Sequence, residues 1–91
     1  MKVTKHLIIR GRVHDVGFRE MFQSEADRNG VTGWVRNRKD GTVEAMLHGW
    51  PDPVAKVVSW ARRGPPAAAV QSIEIDDAAD RFDAFQQRPT E

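Results

Sequence analysis

The stretch Gly11-Arg12-Val13-His14-Asp15-Val16-Gly17-Phe18-Arg19 gathers residue types suited to holding an oxyanion. Glycine lets a backbone close around a ligand, and arginine offers a planar fork of donors matched to phosphate oxygens. The residues that follow carry a helical period, so the stretch reads as a loop feeding a helix. The first amides of a helix lack an intrahelical acceptor, and the helix dipole adds positive potential at that end. A cation in the first turn opposes this dipole, which makes sense of Arg19 if an anion lies between them. Each charge-assisted hydrogen bond contributes roughly 1.5 to 3 kcal/mol, so several together bind a small phosphate without a metal. The plainer reading, a solvated Arg19 in an ordinary strand-to-helix loop, fits the same spacing.

The elements that must position this loop follow from periodicity. Val3 to Arg12 is β-branched and alternating, with Val3, Leu7 and Ile9 in phase, and predicts a strand. Phe18, Met21, Phe22 and Ala26 fall on one face of a helix that Asn29-Gly30 should stop. Val31–Asn37 and Thr42–His48 are alternating runs separated by Asp40-Gly41, a hairpin signal. Asp52 is placed to cap a second helix with Pro53 in its first position, its apolar stripe being Val54, Val57, Val58 and Ala61 up to Gly64. Val70, Ile73 and Ile75 mark a fourth strand, and Phe82 to Gln86 a short last one. This order predicts an α+β, ferredoxin-like (split βαβ) sandwich: an antiparallel sheet of four to five strands with both helices on one face.

With 91 residues and no repeat, linker or low-complexity segment, the chain reads as one domain over residues 1–91. Cysteine is absent, so disulfides and a thiol nucleophile are excluded. His6, His14 and His48 match no metal-ligand spacing, and no apolar run reaches the ~18 residues of a membrane span. A cytoplasmic protein that touches no membrane, monomeric by default, is expected. Residues 1–41 hold nine Lys/Arg against five Asp/Glu and residues 42–91 hold five against eight, so the halves carry +4 and −3 within a net +1. That polarity suits a small anion better than a nucleic acid, which calls for a strongly basic face.

The loop and the hairpin together resemble the acylphosphatase family, whose first motif runs G-x-V-x-G-V-x-F-R and whose second carries G-W-V-x-N before a D-G turn. Gly11, Arg12, Val13, Val16, Phe18 and Arg19 match the first, and Gly33, Trp34, Val35, Asn37, Asp40, Gly41 and Val43 the second. The likeness covers nearly the whole chain, including Gly64-Pro65-Pro66. It implies hydrolysis of the carboxyl-phosphate bond of small acyl phosphates in a ferredoxin-like fold, with no metal or organic cofactor and with inorganic phosphate as product or inhibitor. By position, the loop residues His14, Asp15, Val16, Gly17 and Phe18 and the arginine Arg19 would bind the phosphate. Asn37 would position the attacking water, and Arg19 and Asn37 would be the catalytic pair. Asn37 is neutral and cannot take the water's proton at pH 7, which leaves a phosphate oxygen as acceptor.

Asp15 replaces the second glycine of the family loop. Aspartate tolerates positive φ, so the backbone can survive, but a carboxylate about 4 Å from a phosphate charge costs about 1 kcal/mol in water and about 4 kcal/mol near a surface. Its side chain is therefore expected to turn outward. His14 reads as a hydrogen-bonding loop residue, Trp34, Trp50 and Trp60 as packing residues, and Arg36, Arg38 and Lys39 as a solvated basic turn. Two other functions stay open: a non-catalytic phosphate-ligand-binding relative of the same fold, and an RNA-binding ferredoxin-like module, against which the lack of an aromatic RNP pattern counts.

Overall fold

The computed structural model describes residues 1–91. Strand β1 (Val3–Arg12) leads into helix α1 (Phe18–Arg28), followed by the hairpin of β2 (Thr32–Asn37) and β3 (Val43–Gly49). Helix α2 (Pro51–Arg63), β4 (Ala69–Ala78) and β5 (Phe85–Gln87) complete the chain. The sheet runs in the order β4-β1-β3-β2-β5. Ile9 and Leu7 of β1 lie opposite Val43 and Ala45 of β3, and Val35 of β2 lies opposite Ala45. These side chains point to one face, where both helices pack.

Alternation in the strands and the helical period in α1 bury complementary surfaces. Leu7, Ile9, Val35, Val43, Ala45 and Leu47 are fully inaccessible on the sheet side, and Phe18, Phe22 and Ala26 of α1 lie against them with Val54, Val57, Trp60 and Ala61 of α2. Four aromatics close the centre: the Trp60 ring is 5.5 Å from Phe18 and 5.8 Å from Phe22, and Phe22 stacks on Phe85 at 5.8 Å. Aromatic pairs at such distances contribute about 0.5–1.5 kcal/mol beyond area burial.

Several local expectations need correction. The sheet is mixed, because β5 pairs parallel to β2. The chain reverses after β4 and emerges beside β2, which already runs opposite to β4, so the new pair must be parallel. Helix α2 begins at Pro51 with Trp50 in the cap position, not at Asp52 and Pro53. Pro51 lacks an N–H and its φ is preset for a first helical residue, so the helix gains a start without a side-chain cap. Met21 is 41% exposed and lies off the α1 stripe, whereas Trp60 joins the α2 stripe. Gly11, expected to approach a ligand, instead serves a bulge between β1 and β4: a Cβ there would sit 2.1 Å from the Ala69 carbonyl oxygen.

The face away from the helices is tied by charge. Glu44 of β3 receives His6 Nε2 from β1 at 2.6 Å, and from β2 Arg36 Nε at 2.8 Å and Nη2 at 2.7 Å. Arg36 also bonds Glu91, and its guanidinium lies 4.8 Å from the Trp34 ring with Arg88 at the same distance. Arg36 is thus a neutralised strand residue, not part of a solvated turn. Trp50 is 55% exposed and is not a packing residue.

Burial alone would raise the Glu44 carboxyl, but hydrogen bonds from His6 and Arg36 and the Arg36 charge outweigh it and hold the pKa below its ordinary 4.5. A carboxyl lowered on folding stabilises the protein fully above its unfolded pKa and loses that contribution as pH falls through the lower folded value. Urea unfolding followed from about pH 6 to about pH 3 should therefore show an acid loss of stability that Glu44→Gln reduces. An unaltered acid limb in the variant would show that the pair is not its source.

Candidate active site

The site forms where β1 crosses into α1 beside the tip of the β2–β3 hairpin. Asp15 has φ 58° and Gly17 has φ 75°, so two left-handed residues flank Val16. Such alternation turns successive N–H groups toward one point, the geometry of an anion-binding nest. Gly17 is the cap residue of α1 and makes no side-chain cap. The first amide here to meet a carbonyl is that of Met21, which donates to the Gly17 oxygen at 3.2 Å; those of His14 through Glu20 donate to none. Unpaired amides, a helix start and positive φ thus coincide in one loop.

Arg19 is the second residue of α1 and is half-buried. Its guanidinium forms no ion pair and no side-chain hydrogen bond, whereas Arg10, Arg28, Arg36 and Arg38 each face a carboxylate. Asn37, the last residue of β2, is half-buried, and its side-chain amide is also without a protein partner. Its backbone is held on both sides, by pairing with Val43 and by the Glu91 N–H on its carbonyl at 3.2 Å. Val13, Asp15, Gly17, Phe18, Arg19, Glu20 and Asn37 line one cleft of about 360 Å³. Arg19 and Asn37, far apart in sequence, therefore share one concavity.

His14 and Val16 do not line the cleft. The His14 imidazole turns toward the hairpin, and its Nε2–H donates to the Thr42 carbonyl at 2.8 Å. A carbonyl can only accept, so this bond sets the tautomer of a neutral His14. The same carbonyl accepts the Arg38 N–H at 2.9 Å, while the Thr42 N–H and hydroxyl donate to Asp40 Oδ1 at 3.0 and 2.6 Å. The hydrogen bonds from the Thr42 side chain and then its backbone hold the Asp40 carboxyl below its ordinary value. Thr42 is thus the joint between loop and hairpin. It was missed from sequence, although an Asp two residues before a Thr is a turn signal in its own right. Asp15 is exposed to solvent, yet it borders the cleft beside Arg19 and Glu20.

A larger concavity of about 740 Å³ opens at the other end of the sheet, around Lys2, Thr4, His48, Trp50 and Arg81. It contains no residue of the loop. No three histidine or carboxylate side chains converge as a metal-binding group, and no helix is long and apolar enough to cross a membrane.

Fold and site together define a ferredoxin-like α+β domain whose first crossover carries a candidate oxyanion cradle. The acylphosphatase family model matches residues 5–87. An acylphosphatase of Pyrobaculum arsenaticum is 51% identical over 88 residues, covering 93% of each chain. One from Thiobacillus denitrificans is 47% identical over 85 residues, with 93% of this chain and 96% of the relative covered. A solved acylphosphatase from Coxiella burnetii superimposes with a TM-score of 0.92 at 31% identity, over 96% of this chain and 93% of that one. This chain belongs to the acylphosphatase family.

The joint at Thr42 can be tested directly. His14→Ala removes one hydrogen bond and should lower the unfolding free energy by about 1 kcal/mol, while His14→Gln, which keeps an N–H donor, should lose less. Urea denaturation of both variants decides this; equal losses would show that the bond to Thr42 does not brace the loop.

Proposed function

We propose that this protein hydrolyses small acyl phosphates to a carboxylate and inorganic phosphate in the 13–19 loop. The observation that carries the reading is a half-buried, unpaired Arg19 beside a run of unpaired amides, in one cleft with Asn37. The unpaired loop amides that border the cleft, those of Asp15, Gly17, Phe18 and Arg19, and the Arg19 guanidinium take the phosphate oxygens, donors fixed before the substrate arrives. Asn37 presents its carbonyl oxygen to a water hydrogen and its amide N–H to a phosphoryl oxygen, orienting the water toward phosphorus.

The water oxygen bonds phosphorus as the bond from phosphorus to the acyl oxygen breaks. The electron pair leaves with the carboxylate, a good leaving group, so no strong base is needed. The water proton passes to a phosphoryl oxygen. Charge on the transferring group is met by Arg19 and the amides, and the reading assigns no step to a metal or an organic cofactor.

Release of phosphate from benzoyl phosphate, with a chelator present, tests the assignment. Arg19→Ala should lower turnover by about 10² to 10³-fold, the cost of removing a preorganised transition-state donor. Asn37→Ala should lose turnover while inorganic phosphate still binds, because Arg19 and the loop amides supply most of the donors to the phosphate. In heavy-oxygen water the label should enter phosphate; label in benzoate would move the attack to the carbonyl carbon. An inert wild type that still binds phosphate would make the chain a non-catalytic relative.

A further inference from the structure

The cleft has more room than its phosphate-facing groups need, and the charges on its walls are unequal. Val13 and Phe18 contribute buried surface, 1% and 2% exposed. The accessible wall is therefore made by Asp15, Glu20, Arg19, Asn37 and the Gly17 backbone. Neither the Asp15 nor the Glu20 carboxylate takes part in an ion pair or accepts a hydrogen bond, the Ser24 hydroxyl reaching only the Glu20 backbone carbonyl, whereas Glu25, Asp40, Glu44, Glu74, Asp77 and Glu91 all face cations. The hairpin cations do not compensate: Arg38 lies 3.9 Å from Asp40, and neither Arg38 nor Lys39 lines the cleft. Once Arg19 is engaged by phosphate, the charged residues that remain on the cleft wall are Asp15 and Glu20.

We infer that this site selects its substrates by the charge of the acyl group, favouring acyl phosphates that carry an ammonium on the acyl side and disfavouring those that carry a second anion. The inference rests on the hydrolytic reading above. Repulsion between Asp15 and the phosphate itself is the same for every acyl phosphate, so it cancels in a comparison between substrates. What remains is attraction or repulsion across a partly solvated gap of several ångströms. Two carboxylates at such range produce about a tenfold or larger difference between a cationic and an anionic acyl group at low ionic strength. The selection acts alike on bound substrate and transition state, so it resides mainly in KM.

Three benzoyl phosphates that differ only in the para substituent test this: para-aminomethyl, unsubstituted and para-carboxy. For the wild type, kcat/KM should be about tenfold or more higher for the para-aminomethyl than for the para-carboxy compound. In an Asp15→Asn, Glu20→Gln double variant the ratio should fall several-fold toward one. Each ratio is internal to one protein, so changes in basal rate or stability cancel. A wild-type ratio near or below one, or a ratio that the double variant leaves unchanged, overturns the inference. The unsubstituted compound reports hydrolysis itself: if it is cleaved without charge selection, only this inference fails, and if it is not cleaved, the hydrolytic reading fails.

Discussion

The packing of Phe18 against Trp60 is the contact on which the site depends. Phe18 is the first residue of α1 and is 2% exposed, with its ring 5.5 Å from Trp60. Space beside it is so limited that a Cβ at Gly64 would meet its ring at 2.9 Å. This fixes where the helix begins relative to the end of β1, and leaves only five residues to connect them. Such a short crossover must turn sharply, which puts Asp15 at positive φ. A strained residue of that kind costs on the order of 1–3 kcal/mol, while losing a buried phenylalanine costs about 3–5 kcal/mol. The aromatic anchor therefore outweighs the strain, and the amides that cannot find carbonyls are held in place.

The second half of the site is positioned by strand register. Asn37 reaches the cleft because β2 ends there, and β2 ends there because Val35 faces the core while Asn37 pairs with Val43 at the last rung before the turn. Slipping the register by one residue would turn Val35 outward and Asn37 with it, so core burial protects the polar site residue. Thr42 then links the halves by accepting from both His14 and Arg38. The sheet supplies distance, and this one carbonyl supplies registration between two loops.

Much of this was legible in sequence, for reasons that also explain the rest. Leu7 and Ile9 in β1, Phe22 and Ala26 in α1, and the Asp40-Gly41 turn are read correctly because each signal is local: a period, or a turn residue with its own backbone preference. Arg19 and Asn37 are legible as a pair only through the resemblance, since nothing local brings position 19 to position 37. The direction of β5 was hidden because alternation is the same for parallel and antiparallel neighbours. Gly11 was misread because a glycine beside a ligand and a glycine under a neighbouring carbonyl look alike until the Ala69 oxygen is in view. Thr42 was overlooked because its role lies in its backbone, which every residue shares.

The same comparison explains why Arg19 stands out among cations that are chemically identical to it. Arg36 is also half-buried on a strand beside the site, yet Glu44 and Glu91 claim its donors and Trp34 covers its face. An arginine so engaged would have to break existing bonds to meet a phosphate, and much of the binding energy would be lost in doing so. Arg19 has no such partner to leave, although Asp15 and Glu20 border the same cleft. Carboxylates that approach without pairing leave its fork of donors free and still shape the field around it. The cleft thus combines an unengaged cation for the group that all substrates share with a negative rim for the group in which they differ.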